Sequence, residues 1–250
     1  MSSTTATSQP LNRQFAALLA ATLETWAHQL LFQRHIYPRE TFGPTRFLGV
    51  RCQACRHPGV VSYITDTVGV AVPALMTGAA DVLSLVITTT NEDSDHVDDN
   101  SHIITETVVE TYTLKIVEIL RDWRDIGSND NIATTIQELE RAMRDLVLRV
   151  LSLESERASS SDTVSFKLTL HLPEENRSCN ELNHVFAEGT WFCPPDEPTP
   201  SSASVFSSRS IQPRAWIRPL HRLSTPNCVI DFAMRKTKDD RKPPPKLIDI

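Results

Sequence analysis

Glycine is scarce: the 250-residue chain has seven. Phosphate-binding loops and G-x-S-x-G nucleophile elbows need glycine where the backbone turns sharply or meets a ligand, and neither motif occurs. The eight histidines form no HExxH pair, so a zinc-protease helix is also excluded. No run of apolar residues is long and clean enough to read as a membrane span. The stretch from Phe15 to Phe32 is interrupted by Glu24, His28 and Gln29, which fits a buried helix better. Positive charge is not in excess either. The net charge is −6 with a pI near 5.8, whereas a protein that lies directly on DNA displaces phosphate counterions with lysine and arginine. Any link to DNA is expected to run through another protein.

Cysteine is limited to five residues, an odd number: Cys52, Cys55, Cys179, Cys193 and Cys228. The N-terminus is rich in Ser and Thr and lacks the basic and apolar regions of a secretory signal, so reduced intracellular thiols are expected. Cys52-Gln53-Ala54-Cys55 with His57 resembles half of a zinc site, but four ligands in two close pairs are needed. Cys179 with His184 is a poor second pair. A redox pair needs a helix N-terminus beside one thiol, and Pro58 opens the next helix too late for that. Ordinary thiols are the expectation, with no metal and no cofactor. The acidic stretch 91–100 lacks the glycine and terminal glutamate of a calcium loop and reads as a solvated connection.

Hydrophobic residues make up 40% of the chain, enough for a core alongside polar segments. Residues 1–10 read as disordered. Leu11, Phe15, Leu18, Leu19, Thr22, Trp26 and Leu30 then recur at three- and four-residue steps, a helix that Pro38 is expected to end. Pro58 suits the first turn of a second helix with Val61, Ile64, Val68, Val72 and Leu75 inward, and Pro73 should kink its end. Val82 to Thr89 and Thr105 to Ile116 read as antiparallel strands. Gly127-Ser128-Asn129-Asp130 offers capping groups for a third helix along Ile132, Ile136, Leu139, Met143, Leu146 and Val150. Val164 to Leu170 alternates as a half-buried strand. A Pro/Ser-rich loop covers 194–213, followed by strands from Trp216 to Leu220 and Cys228 to Met234. In the last strand Val229, Asp231 and Ala233 share one face, opposite Ile230, Phe232 and Met234. Residues 235–250 form a basic, Pro-rich tail.

Several segments resemble the HORMA-domain family. Leu31-Phe32-Gln33-Arg34-His35-Ile36-Tyr37-Pro38-Arg39-Glu40-Thr41-Phe42 is similar to two of its branches, the non-catalytic accessory subunit of translesion DNA polymerase zeta and the spindle-checkpoint adaptor. Gln33-Arg34 and Glu40-Thr41-Phe42 lean to the checkpoint branch. His57-Pro58, Tyr63-Ile64, Asp66-Thr67, Glu138 to Met143 and Ile217-Arg218-Pro219-Leu220 look like the polymerase branch. The match runs from Leu11 to Met234.

The resemblance implies an α+β HORMA fold over 11–234, with three helices packed on a mainly antiparallel sheet. It also implies a mobile C-terminal safety belt over about 172–234 that closes on a partner peptide. The implied role is a nuclear, non-enzymatic adaptor that clasps a peptide of the catalytic subunit of DNA polymerase zeta and bridges it to the Rev-type deoxycytidyl transferase scaffold. The alternative is a spindle-assembly-checkpoint adaptor using the same mechanism. By position, Tyr63 and Trp191 would contact the peptide, and Leu220, Asp231 and Ala233 the scaffold. Arg141 would lie at a contact between two HORMA domains, homo- or heterodimeric, with His35 where the family often carries glutamate.

Overall fold

The computed structural model describes residues 8–92, 104–119, 129–155, 164–172, 215–225 and 228–237. Helix α1 (Ser8–Gln33) buries Phe15, Leu19, Leu23, Trp26, Ala27, Leu30 and Leu31 along one stripe. It begins inside the segment expected to be disordered, since Ser8 to Pro10 are helical. It also ends five residues before Pro38, so the proline does not stop it. His35 turns into the left-handed region at φ 52°. Its N–H donates to Phe32 O at 3.3 Å and that of Ile36 to Leu31 O at 3.1 Å, the two bonds of a left-handed helix cap. Glycine usually takes this position; histidine fills it here.

A short antiparallel hairpin follows, β1 (Phe42–Phe47) and β2 (Val50–Cys55), which hydrophobic alternation did not reveal. Leu48 and Gly49 both have positive φ, 46° and 80°, the two-residue turn whose twist matches a hairpin. The far edge of β2 is covered by α1: Gln29 Oε1 accepts from the Gln53 N–H at 3.0 Å and His28 Nδ1 from the Cys55 N–H at 3.4 Å.

Helix α2 (Pro58–Thr77) starts at Pro58 as expected. Its inner stripe is Val60, Ile64, Thr67, Val68, Ala71, Val72, Ala74 and Leu75, so Val60 replaces Val61 as the first inward residue. The helix continues through exposed Pro73 to a left-handed cap at Gly78 (φ 74°), whose N–H donates to Leu75 O. Its length and apolar composition match a membrane span, but this stripe is packed into the protein core.

The main sheet contains β3 (Val82–Glu92), β4 (Ile104–Ile119), β5 (Val164–His171), β6 (Ala215–Thr225) and β7 (Cys228–Thr237). Its order is β5-β3-β4-β7-β6, antiparallel throughout. Helix α3 (Asn129–Leu151) precedes β5 and buries Leu139, Met143, Leu146, Val147 and Val150. The three helices cover one face of the sheet. Leu19 and Leu23 of α1, Leu75 of α2 and Met143 and Leu146 of α3 meet Leu83, Leu114 and Ile230 in one apolar core. Strand β7 runs on to Thr237, so Arg235 to Thr237 belong to the sheet and not to the tail that the sequence placed from 235.

A buried polar knot ties these layers together. Arg34 is 5% exposed and Glu110 is 1% exposed. The Arg34 Nε lies 3.1 Å from Glu110 Oε2 and also bonds the Tyr112 hydroxyl, which donates to the same carboxylate at 2.7 Å. Lys236 of β7 reaches Glu110 Oε1 at 3.0 Å, and Arg34 Nη1 donates to Glu154 O at 3.1 Å. The end of α1, β4 and β7 meet at this one carboxylate, and Arg34 links it to the exit of α3. Burial first, and then the Glu110 charge, pushes the Tyr112 hydroxyl well above its ordinary range.

Candidate functional site

Strands β5 and β6 form opposite edges of the five-stranded sheet. At β5 the Leu168 N–H donates to the Tyr63 hydroxyl of α2 at 3.0 Å. That N–H therefore points away from β3. Because a strand alternates, the backbone groups of Val164, Phe166, Leu168 and Leu170 share the side that no strand covers among the described residues. Exposed N–H and C=O groups in a row are a template for another strand. The Leu168 N–H is held by a side chain hydroxyl, a partner that an incoming strand can displace or bypass.

Three aromatic rings gather at this edge. Phe166 meets Tyr63 edge-on at 5.6 Å and 77°, and Tyr37 at 6.2 Å and 88°. All three are half-buried, apolar on one side and open on the other. Burial raises the Tyr37 hydroxyl pKa, with a smaller contribution from the nearby Cys55 thiol, so Tyr37 remains a neutral donor. The outward face of β5 carries Ser165, Lys167, Thr169 and His171, all exposed. Lys167 pairs with Glu106 at 3.2 Å, and His171 Nδ1 lies 3.0 Å from Asp81 Oδ1. The Thr88 hydrogen bond, and then that of Lys167, keep the Glu106 carboxyl below its ordinary pKa.

Tyr63 is the one expected site residue placed at this edge. Trp191 lies outside the described residues. Tyr37 and Phe166 were not singled out from the sequence, although Tyr37 stands in the Ile36-Tyr37-Pro38 stretch and Phe166 in the alternating strand. Their meeting depends on α2 lying beside β5, which spacing along the chain does not report.

The other expected positions scatter. Arg141 is exposed on α3. Leu220 is 5% exposed, packed into the core at a β6 irregularity, with its carbonyl accepting from Arg149 Nε at 2.8 Å. Its side chain therefore faces the core and not the surface in this conformation. Asp231 and Ala233 are half-exposed, opposite buried Ile230, Phe232 and Met234, as the alternation required. Asp231 pairs with Arg222 at 3.5 Å and stands opposite Lys115 of β4. Ile217 of β6 is 69% exposed, the largest value for a big apolar residue among those described.

Cys52 and Cys55 are free, buried thiols on β2. Burial raises the Cys52 pKa, the opposite of what a reactive or metal-binding thiolate needs. Burial also pushes the Cys228 thiol up to about 12. Among the described residues no group of three or more His, Cys, Asp or Glu side chains is placed to hold a metal ion.

No protein-family model matches the chain. No curated protein matches it either. Solved structures do. A chain in a crystal structure of the mitotic checkpoint complex is 17% identical, with 90% of this chain and 99% of that chain covered and a TM-score of 0.52. C. elegans HTP-2 bound to the HIM-3 closure motif is 10% identical over 90% of this chain and 91% of that one, with a TM-score of 0.52. C. elegans HTP-1 bound to the same motif is 11% identical over 90% and 91%, with a TM-score of 0.51. Three helices on one face of an antiparallel sheet, in the same arrangement as these chains, are the HORMA fold.

Proposed function

We propose that this protein is a non-enzymatic adaptor that takes an extended peptide of a partner as an added strand on the open edge of β5. The observation that carries the reading is that edge itself, with the Tyr63 hydroxyl on the outward Leu168 N–H and three rings around Phe166. Strand addition draws affinity from main-chain hydrogen bonds and selectivity from pockets for alternate side chains. Two of the solved structures that share the fold hold a closure motif, which supports a peptide as the ligand.

Topology supports a belt as well. The chain leaves β5 at one edge of the sheet and resumes as β6 at the other, four strand spacings or on the order of 20 Å away. The connection 173–214 thus joins the peptide-accepting edge to the far hairpin. A partner held beneath it leaves only when the belt opens, so dissociation is slow.

The finer reading is the accessory subunit of DNA polymerase zeta, acting in the nucleus in translesion synthesis and DNA damage tolerance. It rests on His57-Pro58, Tyr63-Ile64, Asp66-Thr67 and Glu138 to Met143. The partners are then a peptide of the catalytic subunit and the Rev-type transferase scaffold, with DNA reached only indirectly. Asp231 and Ala233, with exposed Ile217, are the proposed scaffold surface, and Arg141 the proposed dimer contact. A spindle-checkpoint adaptor is the second reading, supported by Gln33-Arg34 and Glu40-Thr41-Phe42.

Peptides tiled across the polymerase zeta catalytic subunit of the same organism, and across its checkpoint proteins, test both readings by fluorescence anisotropy. Binding confined to the polymerase set supports the first reading; binding confined to the checkpoint set replaces it with the second. Removing a desolvated aromatic anchor costs about 2 kcal/mol, roughly thirtyfold in affinity. Tyr63→Ala and Trp191→Ala are each expected to weaken the bound peptide by that amount while the domain keeps its cooperative unfolding. Unchanged affinity in both variants removes the β5 edge as the site.

A further inference from the structure

On either side of Tyr37, two side chains from the exit of α1 converge on one hydroxyl. Ser155, just past the end of α3, has its Oγ 3.0 Å from His35 Nε2 and 3.2 Å from Arg39 Nη2. Arg39 Nη2 also lies 3.4 Å from His35 Nε2, which closes the triangle. His35 is the left-handed cap of α1, and Arg39 opens a 3-10 turn (Arg39–Thr41) that precedes β1. We propose that Ser155 is a phosphorylation site whose phosphate is received by Arg39 and His35. The proposal rests on this geometry alone and stands apart from the peptide reading.

The cradle is built before any phosphate arrives. The Arg39 guanidinium lies over the Phe32 ring at 5.6 Å, and Phe32 is braced edge-on by Phe42 at 5.3 Å. Its planar fork is therefore aimed, and a guanidinium fork suits phosphate oxygens better than an ammonium does. The backbone beside Ser155 is fixed as well, because Glu154 O accepts from buried Arg34. His35 supplies a further hint. A left-handed cap costs histidine backbone strain that glycine would avoid, and such strain marks positions where the side chain has a use. The adjacent carboxylates, Glu40 and Glu154, are both exposed, so solvent screens their repulsion.

Ser155 is itself exposed and open to a kinase. In the transfer, the bond between the γ-phosphorus of ATP and its bridging oxygen breaks, ADP leaves, and the new bond forms to Ser155 Oγ. The hydroxyl proton passes to the kinase's base. The seryl oxygen can then no longer donate, so His35 Nε2 takes the donor role towards the phosphate alongside the Arg39 fork. The gained charge is about −1.5 to −2 near neutral pH. It ties the segment leading from α3 towards β5 onto the cap of α1.

Full-length protein with phosphoserine installed at position 155 tests the cradle. Phosphorus NMR of the folded chain is expected to show the phosphate's second ionisation below that of the same chain unfolded in urea, where it sits near the ordinary value of about 6. The melting temperature is expected to exceed that of the unmodified chain by a few degrees. Arg39→Ala should erase both differences and Arg39→Lys should restore only part. Identical ionisation in the folded and unfolded chains overturns the cradle. Mass spectrometry of the protein isolated from its own cells tests the modification: phosphate on Ser155 supports it, and its absence in both growing and stressed cells overturns it.

Discussion

Arg34 shows what a single buried charge does in this fold. It reaches Glu110, Tyr112 and Glu154 O, while Lys236 holds the other oxygen of the Glu110 carboxylate. Replacing such a knot whole with apolar groups is often tolerated, whereas removing one partner strands a charge in the interior. Arg34→Met and Glu110→Gln are each expected to cost about 3–5 kcal/mol in urea unfolding. The double variant should cost less than the sum, because the second change removes the charge that the first left unpaired. Strict additivity would show that the two residues act independently.

A second residue gives the protein a pH response. His28 Nδ1 accepts the Cys55 N–H, which only a neutral imidazole can do, and burial lowers its pKa from the unfolded value of 6.5. Below about pH 6.5 the unfolded chain binds a proton here before the folded chain does, so stability falls as pH drops from there towards the folded pKa. Well above pH 6.5 the group is neutral in both states and the contribution is complete. His28→Asn keeps an acceptor oxygen without the titration, and its acid loss between pH 6.5 and 5 should be shallower than that of the parent. Equal slopes in chemical denaturation at those pH values would reject this role for His28.

At the scale of elements, long periodic segments were legible and turn-driven ones were not. The stripe of α3 was readable because Leu139, Met143, Leu146 and Val150 repeat without interruption, and each is buried. Pro38 does not mark the end of α1, because proline sets only an outer limit to a helix and the His35 cap acts earlier. The β1–β2 hairpin is not legible in the sequence, because Phe42-Gly43-Pro44-Thr45-Arg46-Phe47 has no clean alternation and its pairing is set by the Leu48-Gly49 turn. Gly49 sits at φ 80° with open space around its α-carbon, so a new side chain there meets backbone strain and not a neighbour. Gly49→Ala should therefore cost about 1 kcal/mol by thermal unfolding, and a neutral result would mean that the turn relaxes freely. In the β6–β7 hairpin, Asp231→Lys would face Arg222 and Lys115 at once. It should abolish proposed scaffold binding in a pull-down while peptide affinity at the distant β5 edge stays unchanged. Loss of both together would place the damage in the belt.

At the scale of the molecule, the fold class followed from the sequence but the site did not. Three helices and antiparallel strands can be counted along the chain, whereas the order β5-β3-β4-β7-β6 depends on which edge the C-terminal hairpin joins. Among the described residues that choice leaves β5 at an edge and covers β4 with β7. Tyr63 was placed through the family resemblance; Tyr37 and Phe166 became visible only once α2, the end of α1 and β5 were brought together.

Hydrogen exchange followed by NMR tests the central claim of strand addition most directly. With the partner peptide bound, the outward amides of Phe166, Leu168 and Leu170 should exchange far more slowly than in the free protein, by at least tenfold. The edge amides of β6 should be unchanged. Protection that appears along β6, or nowhere on either edge, would contradict strand addition at β5.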